Sequence, residues 1–290
     1  MEINSILFPS PPPSYTLSTF PEELIWIPSK DHPKIKIPAL LLKSAQGSSK
    51  ILIYFHGNAE DIGLAYEMTD LIRTSLQIHI LVVEYPGYGL YYGKPKAEII
   101  LKDADSVYDF VSSVLGFAPN DVFAFGRSIG SGPSTSIARY RGLGCLFLMS
   151  PYTSIKDVVE SVAGKLAKKL VADRFRNIDN MPFITSPTLL IHGMVDSLIP
   201  YSHSQELQVL CAGISQLILP REMDHNFFDY YDDLLVPMAN FLDSARICLV
   251  PDNLSDGLIR LSPNYYEFPE AQPLAKNTGK IHKFFKKLSS

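Results

Sequence analysis

Three side chains of this sequence could carry out nucleophilic chemistry if the fold brought them together: Ser128, Asp196 and His225. Ser128 stands in Gly126-Arg127-Ser128-Ile129-Gly130, after the apolar run Asp121-Val122-Phe123-Ala124-Phe125 and before a helical pattern from Gly132 to Tyr140. A serine on a sharp turn between strand and helix is lifted clear of the sheet. Small residues two places to either side let strand and helix close on each other, and here Gly126 and Gly130 fill those places. By itself the pentapeptide is also compatible with an ordinary glycine-rich turn. An alcohol is a poor nucleophile at neutral pH. It needs a base to take its proton and an acid to orient that base. Asp196 follows the strand-like Thr188-Leu189-Leu190-Ile191, and His225 follows Gln216-Leu217-Ile218-Leu219. Serine, acid and histidine thus come in that order, each in the loop after a strand, as three groups gathered on one edge of a parallel sheet require.

The rival residues fit less well. His192 and His203 flank the acid loop, and neither follows the last strand; His192 reads as a structural histidine bonded within its turn. Asp224 adjoins His225 too closely to reach its ring and reads as a surface charge, while Asp233 falls on a final helix. A tetrahedral intermediate would place negative charge on the former carbonyl oxygen, and two backbone N–H groups should meet it. The oxyanion hole is assigned to Ile129, next after the serine, and to Asn58, in the turn His56-Gly57-Asn58-Ala59-Glu60-Asp61. His56 precedes the nucleophile in the chain and is read as shaping that turn.

The surrounding pattern supplies the elements that must position these groups. Glu23–Pro28 and Lys34–Leu42 read as an antiparallel strand pair at a sheet edge. Short buried strands then alternate with helices: strands at Lys50–Phe55 and His79–Tyr85, helices at Glu60–Leu76 and Lys96–Leu115, the strand before Ser128, and strands at Cys145–Met149, Thr188–Ile191 and Gln216–Leu219. Runs apolar throughout imply burial on both faces, hence a mostly parallel eight-stranded sheet with helices on each side, an α/β class. Val158, Val162, Leu166 and Leu170 recur every four residues beside Lys165, Lys168 and Lys169, which is an amphipathic helix. It is read either as part of a small lid over about 154–186 or as an ordinary surface helix. Three units are expected: an extended Pro-rich segment over 1–20, the main domain over 21–246, and a poorly ordered tail with a basic end over 247–290.

The 290 residues, 46% hydrophobic and 19% charged with a net charge of −4, suit one large globular domain and give no global pointer to nucleic acid. Three cysteines make neither a disulfide framework nor a metal site, and Cys145 reads as a small core residue. The start lacks the features of a signal peptide, and no run is long enough for a membrane span. A cytoplasmic location is therefore expected, with peripheral membrane contact left open because Lys276–Lys287 is basic and carries two aromatics. Gly87-Tyr88-Gly89 is too short to hold a pyrophosphate, and no metal or cofactor is expected.

The motifs His56–Asp61, Glu84–Gly89, Gly126–Pro133, Ser150–Ser154, Ile191–Asp196 and Asp224–Asn226, together with Pro11–Leu17, resemble the α/β-hydrolase-domain-containing 17 protein depalmitoylases over about Phe8 to Leu242. The resemblance implies an α/β-hydrolase fold and a serine thioesterase acting on S-acylated cysteines of membrane-associated proteins. It carries Ser128, Asp196 and His225 over as nucleophile, acid and base. Two features depart from that group: Met1–Phe8 has no cysteine cluster to be acylated, and Arg127 stands where a glutamine is expected. Small or lipid esters are the alternative substrates, in a carboxylesterase or lipase with the same site. A hydrolase fold used only as a binding module is the third reading.

Overall fold

The apolar runs pair as one sheet of eight strands in the order β1-β2-β4-β3-β5-β6-β7-β8. In chain order these are β1 (Leu24–Pro28), β2 (Lys36–Leu42), β3 (Ile51–Phe55), β4 (His79–Val83), β5 (Val122–Arg127), β6 (Cys145–Met149), β7 (Thr188–Ile191) and β8 (Ser215–Ile218). β1 pairs antiparallel with β2, and β2 with β4; every other pairing is parallel. The computed structural model describes residues 8–31, 34–169, 171–249, 259–269 and 272–273. The basic end Lys276–Lys287, Leu170 and the side chain of Val162 lie outside the described residues. Among the described residues no helix is long and apolar enough to cross a membrane.

Side chains alternate across each strand, so the runs feed two cores, one on either face of the sheet. Ile51, Ile53 and Phe55 of β3 join a core with Ala97, Ile100, Ala104 and Val107 of the helix Ala97–Asp109 and Ile137 of the helix Ser131–Arg141. Leu52 and Tyr54 join the opposite core with Met68 and Ile72 of the helix Tyr66–Leu76 and Met238 and Phe241 of the helix Val236–Ser244. Cys145 lies in this second core, where burial pushes its thiol well above the usual range. The continuous hydrophobicity of the runs thus has its cause in helices packed on both faces.

Several boundaries move from their expected places, each for a local reason. The first helix begins at Tyr66 rather than Glu60, because the Asp61 carboxylate accepts the Leu64 N–H at 3.0 Å and holds a turn there. The helix expected over Lys96–Leu115 is α-helical only over Ala97–Asp109 and widens into a π-turn at Phe110–Val114. The helix Ile155–Lys168 breaks at Gly164, whose φ of 81° and ψ of 173° only glycine adopts readily. The break lets Lys168 fold back on the first turns, where its ammonium meets Asp157 at 2.8 Å and Glu160 at 2.5 Å. Val158 and Val159 pack on the core, whereas Leu166, expected on the same inward stripe, is 81% exposed. Beyond this helix the segment expected to complete the lid is tied down. Asn177 is buried and its amide nitrogen donates to Ser131 Oγ and to the Tyr152 carbonyl, each at 2.8 Å.

Both flanking segments depart from the expected division. Phe8 and Tyr15 of the Pro-rich N-terminal segment are buried, one in each core, so the packed unit starts well before residue 21. Likewise the tail after residue 246 is not wholly free. Ile259, Leu261, Tyr265 and Tyr266 pack on the first core, Phe268 meets Trp26 of β1 edge-on at 5.0 Å, and Gln272 Oε1 accepts from the Lys36 N–H at 2.8 Å. An edge strand offers unpaired backbone groups, and this returning stretch packs beside β1 at that edge.

Tyr15 gives the docked N-terminal segment a test. Its hydroxyl donates to Glu84 Oε2 at 3.0 Å and accepts from the Leu90 N–H at 3.2 Å. Tyr15→Phe removes both bonds with little change of shape, and chemical denaturation should show a loss of about 1–3 kcal/mol. An unchanged unfolding midpoint would mean that these bonds do not hold the segment to the domain.

Candidate active site

The sharp turn expected at Ser128 is present, and its backbone is strained. β5 ends at Arg127, Ser128 takes φ of 51°, a 3₁₀ turn covers Ser128–Gly130, and the helix Ser131–Arg141 follows at once. A non-glycine residue in the left-handed region costs about 1–3 kcal/mol, which the surrounding structure must over-determine. Ser131 Oγ donates to the Ser128 carbonyl at 2.7 Å and Ser134 Oγ to the Gly130 carbonyl at 2.8 Å, tying the turn to the helix. The flanking glycines are sterically required. A Cβ on Gly126 would overlap the Gly130 carbonyl and Ser134 Oγ, and one on Gly130 would overlap the Phe55 carbonyl.

Parallel pairing places the successive loops side by side. Phe55 of β3 is in register with Gly126 of β5, Arg127 with Met149 of β6, and Ile191 of β7 with Ile218 of β8. The turns after β3, β5, β7 and β8 therefore share one edge of the sheet. There the structure brings Ser128, His225 and Asp196 together although they are far apart in the chain. His225 Nε2 lies 3.0 Å from Ser128 Oγ, and His225 Nδ1 lies 2.8 Å from Asp196 Oδ2. All three residues are buried. A carboxylate only accepts, so Nδ1 carries the proton and Nε2 is left to accept from the serine hydroxyl.

Asp196 is held as an anion. Its Oδ1 accepts the N–H groups of Leu198 at 2.9 Å and Ile199 at 2.8 Å. Burial works against the charge, but the bonds from His192 and His225 outweigh it and keep the carboxyl well below the usual carboxylate range. His192 is structural, as its place in the turn suggests: Nδ1 meets Ser204 Oγ at 2.6 Å and Nε2 meets the Ile199 carbonyl at 2.8 Å, with Asp196 Oδ2 at 3.3 Å. His203 faces the other way, with Nδ1 2.9 Å from Thr153 Oγ1. Asp224 contacts Ser197 and the Asn226 N–H, and Asp233 accepts from the Asp229 N–H. No cluster of His, Cys, Asp and Glu able to hold a metal ion occurs among the described residues.

The two expected oxyanion residues fall in adjoining turns. Ile129 is buried directly after Ser128, and its carbonyl accepts from Tyr152 at 3.3 Å. Asn58 lies in the turn after β3, its Oδ1 accepting from Tyr88 at 2.8 Å. Beneath this turn lies a buried pair that the chain order does not reveal. His56 Nε2 is 3.0 Å from Glu84 Oε1, and His56 Nδ1 is 2.8 Å from the Gly57 carbonyl. Both partners of the ring are acceptors. Glu84 in turn receives Tyr15, the Ile62 N–H and the Tyr85 N–H. These partners donate to the carboxylate while both ring nitrogens face acceptors, an arrangement that favours a proton held on the ring. Burial disfavours the His56 cation, yet Glu84 raises it above the ordinary histidine range. Burial also pushes Glu84 upward, and His56 offsets part of that.

The sign of the resulting pH effect follows. Both groups are raised, so each contribution to stability is complete below that group's own unfolded value, about 4.3 for Glu84 and about 6.5 for His56, and is lost as pH rises through the folded one. Each proton kept by the folded protein and lost by the unfolded chain makes unfolding free energy fall by up to about 1.4 kcal/mol per pH unit, and the His56 part of that fall sets in as pH rises past about 6.5. Glu84→Gln should flatten that slope and cost roughly 3 kcal/mol or more through the unmatched donors left behind. Urea titrations at three pH values measure both, and an identical slope in the variant would count against a proton shared by the pair.

Known proteins with similar sequences or shapes agree with this architecture. No protein-family model matches the chain. It is 28% identical over 214 residues to Alpha/beta hydrolase domain-containing protein 17B of Homo sapiens, covering 74% of this chain and 73% of that protein. It is 27% identical over 203 residues to Alpha/beta hydrolase domain-containing protein 17C of Xenopus laevis, covering 70% of this chain and 64% of that one. Among solved structures, the Pyrococcus furiosus esterase Pf2001 superimposes with a TM-score of 0.64 at 14% identity, over 81% of this chain and 98% of that one. Alpha/beta hydrolase domain-containing protein 10 from mouse does so with a TM-score of 0.58 at 18% identity, over 77% and 98%. At such identities these superpositions speak for the fold.

Proposed function

With an α/β-hydrolase fold and the domain-containing 17 proteins as its sequence relatives, the chain is, we propose, a serine hydrolase that cleaves acyl thioesters through an acyl-enzyme. The observation that carries this reading is the chain of contacts from Ser128 Oγ to His225 at 3.0 Å and from His225 to Asp196 at 2.8 Å.

In this reading Ser128 Oγ attacks the acyl carbonyl while His225 Nε2 takes its proton. Asp196 holds the ring in the required tautomer and stabilises the imidazolium that forms. The N–H groups of Ile129 and Asn58 meet the oxyanion, each worth about 10²- to 10³-fold in rate. Collapse expels the thiolate or alkoxide, which takes the proton from His225. A water molecule, deprotonated by the same ring, then attacks the acyl-enzyme and frees Ser128.

The preferred substrate is a protein cysteine bearing a fatty acyl chain, as the motif resemblance to the domain-containing 17 depalmitoylases implies. A carboxylesterase or lipase acting on small or lipid esters is the second reading, since the same three residues would cleave an oxygen ester. Purified protein should label covalently with a fluorophosphonate probe and release acid from a palmitoyl-cysteine peptide. Turnover confined to short p-nitrophenyl esters would overturn the thioesterase assignment. Absence of both labelling and turnover would leave the fold as a binding module.

A further inference from the structure

Arg127, the residue before the nucleophile, bridges the two loops that serve it. Its Nη1 lies 2.5 Å from Glu60 Oε2. The same carboxylate oxygen accepts the Gly57 N–H at 3.2 Å, one residue before Asn58. On the other side Nη2 donates to the backbone carbonyl of His225 at 3.2 Å and to Asn226 Oδ1 at 3.1 Å. The guanidinium carbon lies 5.6 Å from the centre of the Phe228 ring. The side chains of Arg127 and Glu60 are only 14% and 12% exposed, so water competes little for this pair.

The guanidinium also packs against the turn itself. A Cβ on Gly57 would stand 3.0 Å from Glu60 Oε2 and 3.1 Å from Arg127 Nη1. One planar fork therefore touches the turn after β3 at one tine and the histidine's own peptide at the other, while its backbone adjoins Ser128. Two separate N–H nitrogens at fixed spacing are needed for that. A lysine ammonium is a single point of charge and offers no second tine.

We infer that Arg127 is a positioning residue. It sets the separation between the turn carrying Asn58 and the loop carrying His225, and so the placement of both against Ser128. It has this role only if Ser128 is the nucleophile of the reaction proposed above. Misplacement of reacting groups by about 1 Å can cost roughly 10²-fold in rate without weakening substrate binding.

Arg127→Lys and the double variant Arg127→Gln/Glu60→Gln test the role. The double variant leaves no unpaired buried charge, so it guards against loss of folding. Sites competent to react are counted by fluorophosphonate labelling at saturating exposure, and kcat is expressed per labelled site. A residue needed only for stability would lower the number of sites and leave kcat per site unchanged. The expected result is a kcat per site about 10- to 100-fold below wild type in both variants, with KM within about threefold. A kcat per site within about twofold of wild type in either variant would overturn the inference. Loss of folded protein in both would assign Arg127 to stability alone and overturn it equally. Wild-type protein that neither labels nor turns over acyl substrates would instead remove the hydrolase reading itself.

Discussion

Ser128→Ala and His225→Ala are each expected to lower kcat by roughly 10⁶-fold, and Asp196→Asn by roughly 10⁴-fold. In the proposed reaction the first two values follow from loss of the nucleophile or of the base that takes its proton, with residual rate left to the oxyanion donors and binding. The Asp196→Asn effect has a cause visible in this structure. Oδ1 of Asp196 accepts from the Leu198 and Ile199 N–H groups, so an asparagine there must turn its carbonyl oxygen toward them. Its amide NH₂ then faces His225 Nδ1, where the aspartate presents Oδ2. Two donors cannot face each other, so the ring must carry its proton on Nε2, the atom that lies 3.0 Å from Ser128 Oγ. In that tautomer His225 cannot accept the serine proton. In the proposed reaction the three act as a unit, so Ser128→Ala/His225→Ala should be no slower than either single variant. Hydrolysis assays with folding checked by circular dichroism measure these effects. An Asp196→Asn rate within about tenfold of wild type would show that the carboxylate does not set the tautomer.

The second large effect is expected at Gly130. Its backbone is ordinary helix-like geometry, φ −64° and ψ −15°, so conformational freedom is not the issue. Space is. A Cβ at this position would overlap the Phe55 carbonyl oxygen and stand 3.0 Å from the His56 carbonyl oxygen. Both obstacles are backbone, at the end of β3 and the start of the turn carrying Asn58. Gly130→Ala must therefore push the helix Ser131–Arg141 away from β3 or shift the turn. We expect a loss of about 3 kcal/mol or more together with loss of fluorophosphonate labelling, since Ser128 and Asn58 move apart. Gly142→Ala is the control. Its φ of 74° disfavours a side chain, but nothing lies within 4 Å of the added atom, so only about 1–2 kcal/mol should be lost and labelling should persist. Equal effects at the two glycines would refute the steric account.

Much of this could be read along the chain, because the relevant forces act over short distances. Apolar runs such as Ile51–Phe55 and Leu189–Ile191 identify buried strands wherever helices cover both faces. Gly126 and Gly130 mark the close approach of strand and helix, and loops after consecutive parallel strands must lie on one edge. The misreadings have equally local causes. The Asp61 side chain competes with the first helical turn, and Gly164 breaks a stripe whose spacing alone looks continuous. Phe8, Tyr15 and Phe268 lie in segments rich in turn-forming residues, where no periodicity announces that a single aromatic will pack on a core.

By itself, then, the sequence determined the α/β alternation, the order of the strand-borne loops and the residue types available for chemistry at their tips. Only the tertiary structure decided how those tips are held. His56 meets Glu84 across 28 positions, Arg127 meets Glu60 across 67, and Arg127 meets the carbonyl of His225 across 98. Polar partners so far apart leave no trace in periodicity or spacing. They find each other because parallel pairing sets their strand ends side by side, and because burial makes each an expensive group to leave without its partner.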